Sequence, residues 1–220
     1  MALTKYNYNS FDITPVASKA LGFNSSADGF TTVTEGSMVL IKTLTASSDA
    51  TIDFIDGTDD VVLDNTYPIY LFKFIDLHPG TDSVIFQFNL SVDTGSNYNV
   101  TKTTTAFAAQ HSEDDGTTDL GYDAGEDLAQ GTGFQGFLSA IGNGNDESAS
   151  GELTLFNPSS TTFVKHFISR LNQYHPDNRS FDTYIAGYGN TTSAVDAIQF
   201  KMNSGNIDAG TFKLYGIKDS

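Results

Sequence analysis

From about residue 30 onward, large apolar side chains recur at every second position over much of the chain, and Gly, Asn, Asp and Ser interrupt the alternation at short intervals. Such a two-residue rhythm predicts half-buried antiparallel strands of the kind that build sandwiches and barrels. The stretch 82–92 is the clearest case. Val84, Phe86, Phe88, Leu90 and Val92 fall on one face, Ser83, Gln87, Asn89 and Ser91 on the other, and Ile85 is the one large exception. The stretch 67–77, YPIYLFKFIDL, is apolar on both faces, with Ile69, Leu71, Ile75 and Leu77 opposed to Tyr70, Phe72 and Phe74. It predicts a central or doubly covered strand with Pro68 at its first residues. Further strands are predicted over 38–46, 51–56, 151–157, 197–202 and 211–218.

Two stretches break the pattern. Over 163–171, Phe163, Phe167, Ile168 and Leu171 sit near helical spacing, yet the aromatic and β-branched content reads as a strand. Over 103–135, five glycines predict a long acidic loop or flap with little regular structure, the alternative being a short helix within it. In the first thirty residues, Tyr6, Tyr8 and Phe11 stand in a polar, Asn-rich and Ser-rich context. That stretch reads either as an extended N-terminal arm lying on the body or on a neighbouring subunit, those three residues being its interface candidates, or as a terminus with incidental aromatics. No repeat and no linker divides the remainder, so the expected organisation is one all-β, antiparallel β-sandwich domain over 31–220 with the arm over 1–30.

Charge narrows the partners. Asp and Glu number 27 against 11 Lys and Arg, a formal charge of −16. Such a field repels phosphate backbones and anionic lipid, so neither nucleic acid nor a membrane surface is an expected partner. No apolar run approaches the roughly eighteen residues of a membrane span. The chain contains no cysteine, which removes disulfides, thiolate catalysis and Cys-ligated zinc together.

Candidate chemistry is sparse. Ten acidic residues and no basic one lie between Lys102 and Lys165. Oxygen-rich loops hold Ca²⁺, which makes Asp114, Asp115 and Asp119 the metal candidates, although their spacing does not follow the alternating ligand pattern of a calcium loop. His78, His111, His166 and His175 stand singly, without the spacing of a zinc pair. No nucleophile elbow or phosphate loop is present, so no catalytic or cofactor-binding residue is assigned. Tyr174, Tyr184, Tyr188 and Asn190, within NQYHPDNRSFDTYIAGYGN, are glycan-binding candidates, because phenol rings stack on sugars and amides bond their hydroxyls. The other reading of these tyrosines is rim packing, with the ring buried and the hydroxyl wet.

Three segments resemble those of virion structural proteins of tailed bacteriophages, especially cyanophages. They are AIQFKMNSGNIDAGTFKLYGI over 197–217, ESASGELTLFNP over 147–158, and YPIYLFKF over 67–74. The first is similar to a recurrent closing hairpin, two amphipathic strands flanking SGNIDAG, with Gly216 expected at a bulge or close backbone approach. The resemblance implies a jelly-roll sandwich on the particle surface without enzymatic activity or cofactor. It implies a capsid decoration or cement protein, trimeric or otherwise homo-oligomeric, bound to the major capsid protein or other virion proteins. The alternative it implies is a host-recognition adhesin or lectin-like module of a tail fibre or head appendage, with a host glycan as partner.

Overall fold

The computed structural model of the chain describes residues 20–23, 26, 30–33 and 36–219. Tyr6, Tyr8 and Phe11 lie outside the described residues, as does most of the expected arm. The end of that arm, β1 (Ala20–Phe23), pairs with β2 (Phe30–Val33) in a two-stranded ribbon on which Phe23 stacks against Phe30 at 5.0 Å.

All other elements are strands in two antiparallel sheets, as the alternation predicts. In chain order they are β3 (Met38–Asp49), β4 (Ile52–Ile55), β5 (Ile69–Pro79), β6 (Val84–Ser91), β7 (Lys102–Ser112), β8 (Thr118–Tyr122), β9 (Gln135–Ile141), β10 (Ala149–Phe156), β11 (Lys165–His175), β12 (Arg179–Gly189), β13 (Ala197–Met202) and β14 (Ile207–Ile217). The large sheet has eight strands in the order β3-β14-β5-β10-β11-β12-β7-β8; the small one has four in the order β4-β13-β6-β9.

Phenylalanines join the sheets. Phe74 of the large sheet meets Phe86, Phe137 and Phe200 of the small one at centroid distances of 5.2, 5.9 and 5.0 Å, and Phe88 meets Phe167 at 5.2 Å. The crossed ring planes of most of these pairs set electropositive edges against electronegative faces, a gain beyond the area buried.

Several expectations need correction. β5 is central, between β14 and β10, but it is not covered on both faces. Tyr70, Phe72 and Phe74 enter the core, whereas Ile75, 39% exposed, faces out. Strict alternation would then turn Asp76 inward. A bulge prevents this: Asp76 takes a φ of 52°, its N–H bonds Ser150 Oγ at 3.0 Å, and Leu77 becomes the next core residue.

The stretch 163–171 is strand from Lys165 onward, in line with its aromatic and β-branched content. The region 103–135 is irregular over only about half its length: β7 and β8 form a hairpin at the edge of the large sheet and β9 begins at its end, while 113–117 and 123–134 lie outside the strands. The inward positions of β7 carry Thr104, Ala106 and Ala108, too small to print a hydrophobic rhythm, and the ring of Phe107 points out.

The closing segments do not form a hairpin either. β13 pairs with β4 and β6 in the small sheet, β14 with β3 and β5 in the large one. Their apolar faces oppose each other across the core, Phe200 lying 5.9 Å from Phe212. The link at 203–206 turns at Gly205 (φ 71°), and its polar groups bond outward: Gly80 N–H donates to Asn206 O at 3.0 Å, and Asn206 Nδ2 to Ser48 O at 2.9 Å. The register shift expected near Gly216 falls between Leu214 and Tyr215, and Gly216 itself lies under the Tyr67 ring, which any methyl group there would overlap.

Among the described residues, two lysines are fully buried. Lys102 and Lys165 both pair with Gly189, from opposite sides of β12. Lys165 Nζ donates to Phe163 O (2.7 Å) and Thr191 O (3.3 Å), and burial lowers its pKa from the usual 10.5.

Candidate functional site

Residues directly opposite on neighbouring antiparallel strands share a face, so the register lays out the outer face of the large sheet row by row. One row runs Thr43, Lys213, Lys73, Glu152, Arg170, Tyr184, Phe107, Tyr122, taking one residue from each strand. The next runs Leu40, Tyr215, Leu71, Thr154, Ile168, Ala186, Thr105. Solvated faces of antiparallel sheets are ordinarily polar. This one carries Met38, Leu40, Ile75, Phe107, Leu120, Tyr122 and Ile168, all among the exposed large apolar side chains.

A polar groove crosses the apolar rows. Lys73 pairs with Glu152, and the Arg170 guanidinium grips Asp182 with two bonds, Nε to Oδ1 at 2.9 Å and Nη2 to Oδ2 at 2.7 Å. That fork holds the Asp182 carboxyl below the usual carboxylate range. Arg170 also lies 5.0 Å over the Tyr184 ring, whose other face stacks on Phe107 at 4.8 Å. Desolvation, and then the bond from its hydroxyl to Asp182, raise the Tyr184 phenol above its ordinary pKa. The groove is lined by Lys73, Ser150, Glu152, Arg170, Asn172 and Asp182. At Asn172 it meets a second hollow, lined by His111, Glu113, Asp146, Tyr174 and Arg179 among others.

The residues expected to bind glycan are not brought together. Tyr174 sits opposite Ser180 at one end of β12 and Tyr188 eight residues along, roughly 26 Å away at about 3.3 Å per residue. Tyr174 donates its hydroxyl to Glu113 at 2.9 Å, which raises its pKa. Tyr188 packs beside His166 with ring centroids 6.1 Å apart, and Asn190 donates to Gln130 at 2.8 Å. Tyr184 has a residue on each face, so its ring offers no open platform to a sugar.

Among the calcium candidates, Asp114 caps the β7–β8 turn, accepting from Ser112 Oγ (2.6 Å) and Gly116 N–H (2.9 Å); these bonds lower its pKa. Asp115 faces the His111 ring at 3.1 Å, and Asp119 stands exposed on β8. Among the described residues, no group of three or more His, Asp or Glu converges on a point where a metal ion could sit. Arg170 and Asp182, from the consecutive strands β11 and β12, meet Phe107 of the distant β7 at the center of the outer face, and the three leave no local motif. In comparisons with known proteins, no family model, curated protein or solved structure matches the chain.

Proposed function

We propose that this chain is a non-enzymatic virion structural protein of a tailed bacteriophage, a capsid decoration or cement protein that attaches to the particle surface through the outer face of its large sheet. The observation that carries this reading is the gathering of Met38, Leu40, Ile75, Phe107, Leu120, Tyr122 and Ile168 on one sheet face, crossed by the ion pairs Lys73–Glu152 and Arg170–Asp182. Exposed apolar side chains gathered on one face mark protein–protein contacts, and charged groups among them fix register. The role needs no catalytic group: a protein that binds the assembled shell and not its separated subunits shifts the equilibrium toward assembly. Major capsid protein is the proposed partner and a homotrimer the proposed form.

The strand order supports the jelly-roll part of the reading. With the inserted pairs β7–β8 and β11–β12 set aside, eight strands remain in two sheets of four, β3-β14-β5-β10 and β4-β13-β6-β9. The chain changes sheet at every step except β6 to β9, as a double-sheet jelly roll does.

The test is binding to shells stripped of this protein, read by co-sedimentation, together with copy number on purified particles by cryo-electron microscopy. Leu40→Asp and Ile168→Asp should abolish co-sedimentation while leaving the β-sheet circular dichroism unchanged. Undiminished binding, or only a few copies per particle, overturns the proposal.

A second reading, a host-recognition adhesin, is favoured by the groove itself. Lys73, Arg170 and Asn172 offer donors, and Glu152 and Asp182 acceptors, within one depression of about 600 Å³. Sugar hydroxyls take both kinds of partner at once. A glycan array in which the protein binds and Arg170→Ala does not would favour the adhesin; absence of binding removes it.

A further inference from the structure

Asn89 of β6 and Lys102 of β7 are both wholly buried, and the Lys102 Nζ contacts the Asn89 Oδ1 directly. The two residues belong to different sheets. Every other bond around them is to backbone. Lys102 Nζ also donates to Val100 O at 2.9 Å. Asn89 Nδ2 donates to Tyr98 O (2.6 Å) and Thr132 O (3.0 Å), and Asn89 Oδ1 accepts the Leu90 N–H at 2.9 Å. A buried ammonium ordinarily has a carboxylate beside it. Among the described residues none pairs with Lys102.

We propose that Lys102 and Asn89 join in an intramolecular isopeptide bond. The neutral Lys102 amine adds through Nζ to Cγ of Asn89, and the C–O π electrons move onto Oδ1. On collapse the Cγ–Nδ2 bond breaks, and the nitrogen leaves as ammonia with the proton that Nζ gives up. Lysine amine and asparagine amide thus become one secondary amide and one ammonia, with no oxidant or reductant needed.

The surroundings supply what this step requires. Burial alone lowers the Lys102 pKa to about 7, so a large share of the nucleophile is uncharged at neutral pH. The Leu90 N–H already points at the oxygen on which negative charge develops, as the donor of an oxyanion hole does. The Tyr98 and Thr132 carbonyls pin the amide and hold the nitrogen that departs. Fixing amine and amide in contact replaces a collision in solution, an advantage that reaches about 10⁵–10⁸ M in well-oriented cases. No carboxyl acid assists the leaving nitrogen, so the bond forms slowly and accumulates with time.

The consequence is a covalent tie from the small sheet to the large one at the start of the inserted strand β7. The test is the intact mass of the full chain, freshly purified and again after prolonged incubation in mildly alkaline buffer. The expected product is lighter by one ammonia, and tandem fragmentation places the loss between residues 89 and 102. Lys102→Met and Asn89→Ala should keep their full sequence masses and lose resistance to thermal unfolding relative to the linked protein. Full mass in the wild type after incubation overturns the proposal without recourse to either variant. Mapping of the loss elsewhere, such as to a succinimide at Asn143 before Gly144, overturns it equally.

Discussion

The ring of Phe107 lies on that of Tyr184 across β7 and β12, 4.8 Å between centroids and 3° from parallel. Arg170 closes the far side of Tyr184, so that three strands contribute one stacked blade on an outward face. Phe107→Ala should therefore cost folding about 0.5–1.5 kcal/mol for the lost ring pair, in addition to the buried part of a side chain that is 41% exposed. Loss of co-sedimentation with stripped shells should be far larger. Equal small losses in urea midpoint and in binding would make the blade a packing feature alone.

Phe74 is the hub of the core, touching Phe86, Phe137, Phe200 and Phe212. Phe74→Ala leaves a cavity that four rigid rings cannot close, and a loss of about 3–5 kcal/mol follows, measured by chemical denaturation. Phe163→Ala, at a ring 70% exposed, should change the same midpoint little.

Lys165 sits among carbonyl oxygens with a pKa below 10.5 in the folded chain. Between that lowered value and 10.5 the unfolded chain holds a proton the folded chain has released, so stability climbs as pH rises through the window. Below it both forms are charged and the cost of the buried ammonium is constant. Lys165→Met should raise the thermal midpoint at neutral pH and flatten the alkaline climb; a lower midpoint would mean the carbonyl bonds outweigh the desolvation.

Asp182 behaves in the opposite sense. Its carboxyl is held below 3.8 by the Arg170 fork, so the stability it contributes is complete above that pH and disappears as pH falls through the folded value. In Asp182→Asn the acid limb of a plot of melting temperature against pH should be shallower. Unchanged acid sensitivity would assign the limb to other carboxylates.

How much was legible in the residues depends on where the large side chains point. β6 and β13 announce themselves because Phe86, Phe88, Ile198 and Phe200 are large and inward. β12 reverses that: Thr183, Gly187 and Gly189 lie on its inward side and Tyr184 and Tyr188 face out, so its apolar signal is weak. The pairing of β14 was not legible at all, because adjacency in sequence does not tell a hairpin from an arch between sheets. The bulge at Asp76, which exchanges one core residue for the next, likewise has no local signature. The outer-face groove went unseen for a related reason: Lys73, Glu152, Arg170 and Asp182 become neighbours only through register.

The width of the large sheet has a geometric result. Antiparallel strands turn by about 20° from one to the next, so seven steps from β3 to β8 accumulate to roughly 140°. Leu40 at one edge and Leu120 at the other therefore look in widely divergent directions. A saddle of that kind complements no single flat surface, and in the proposed role it would wedge between two neighbours.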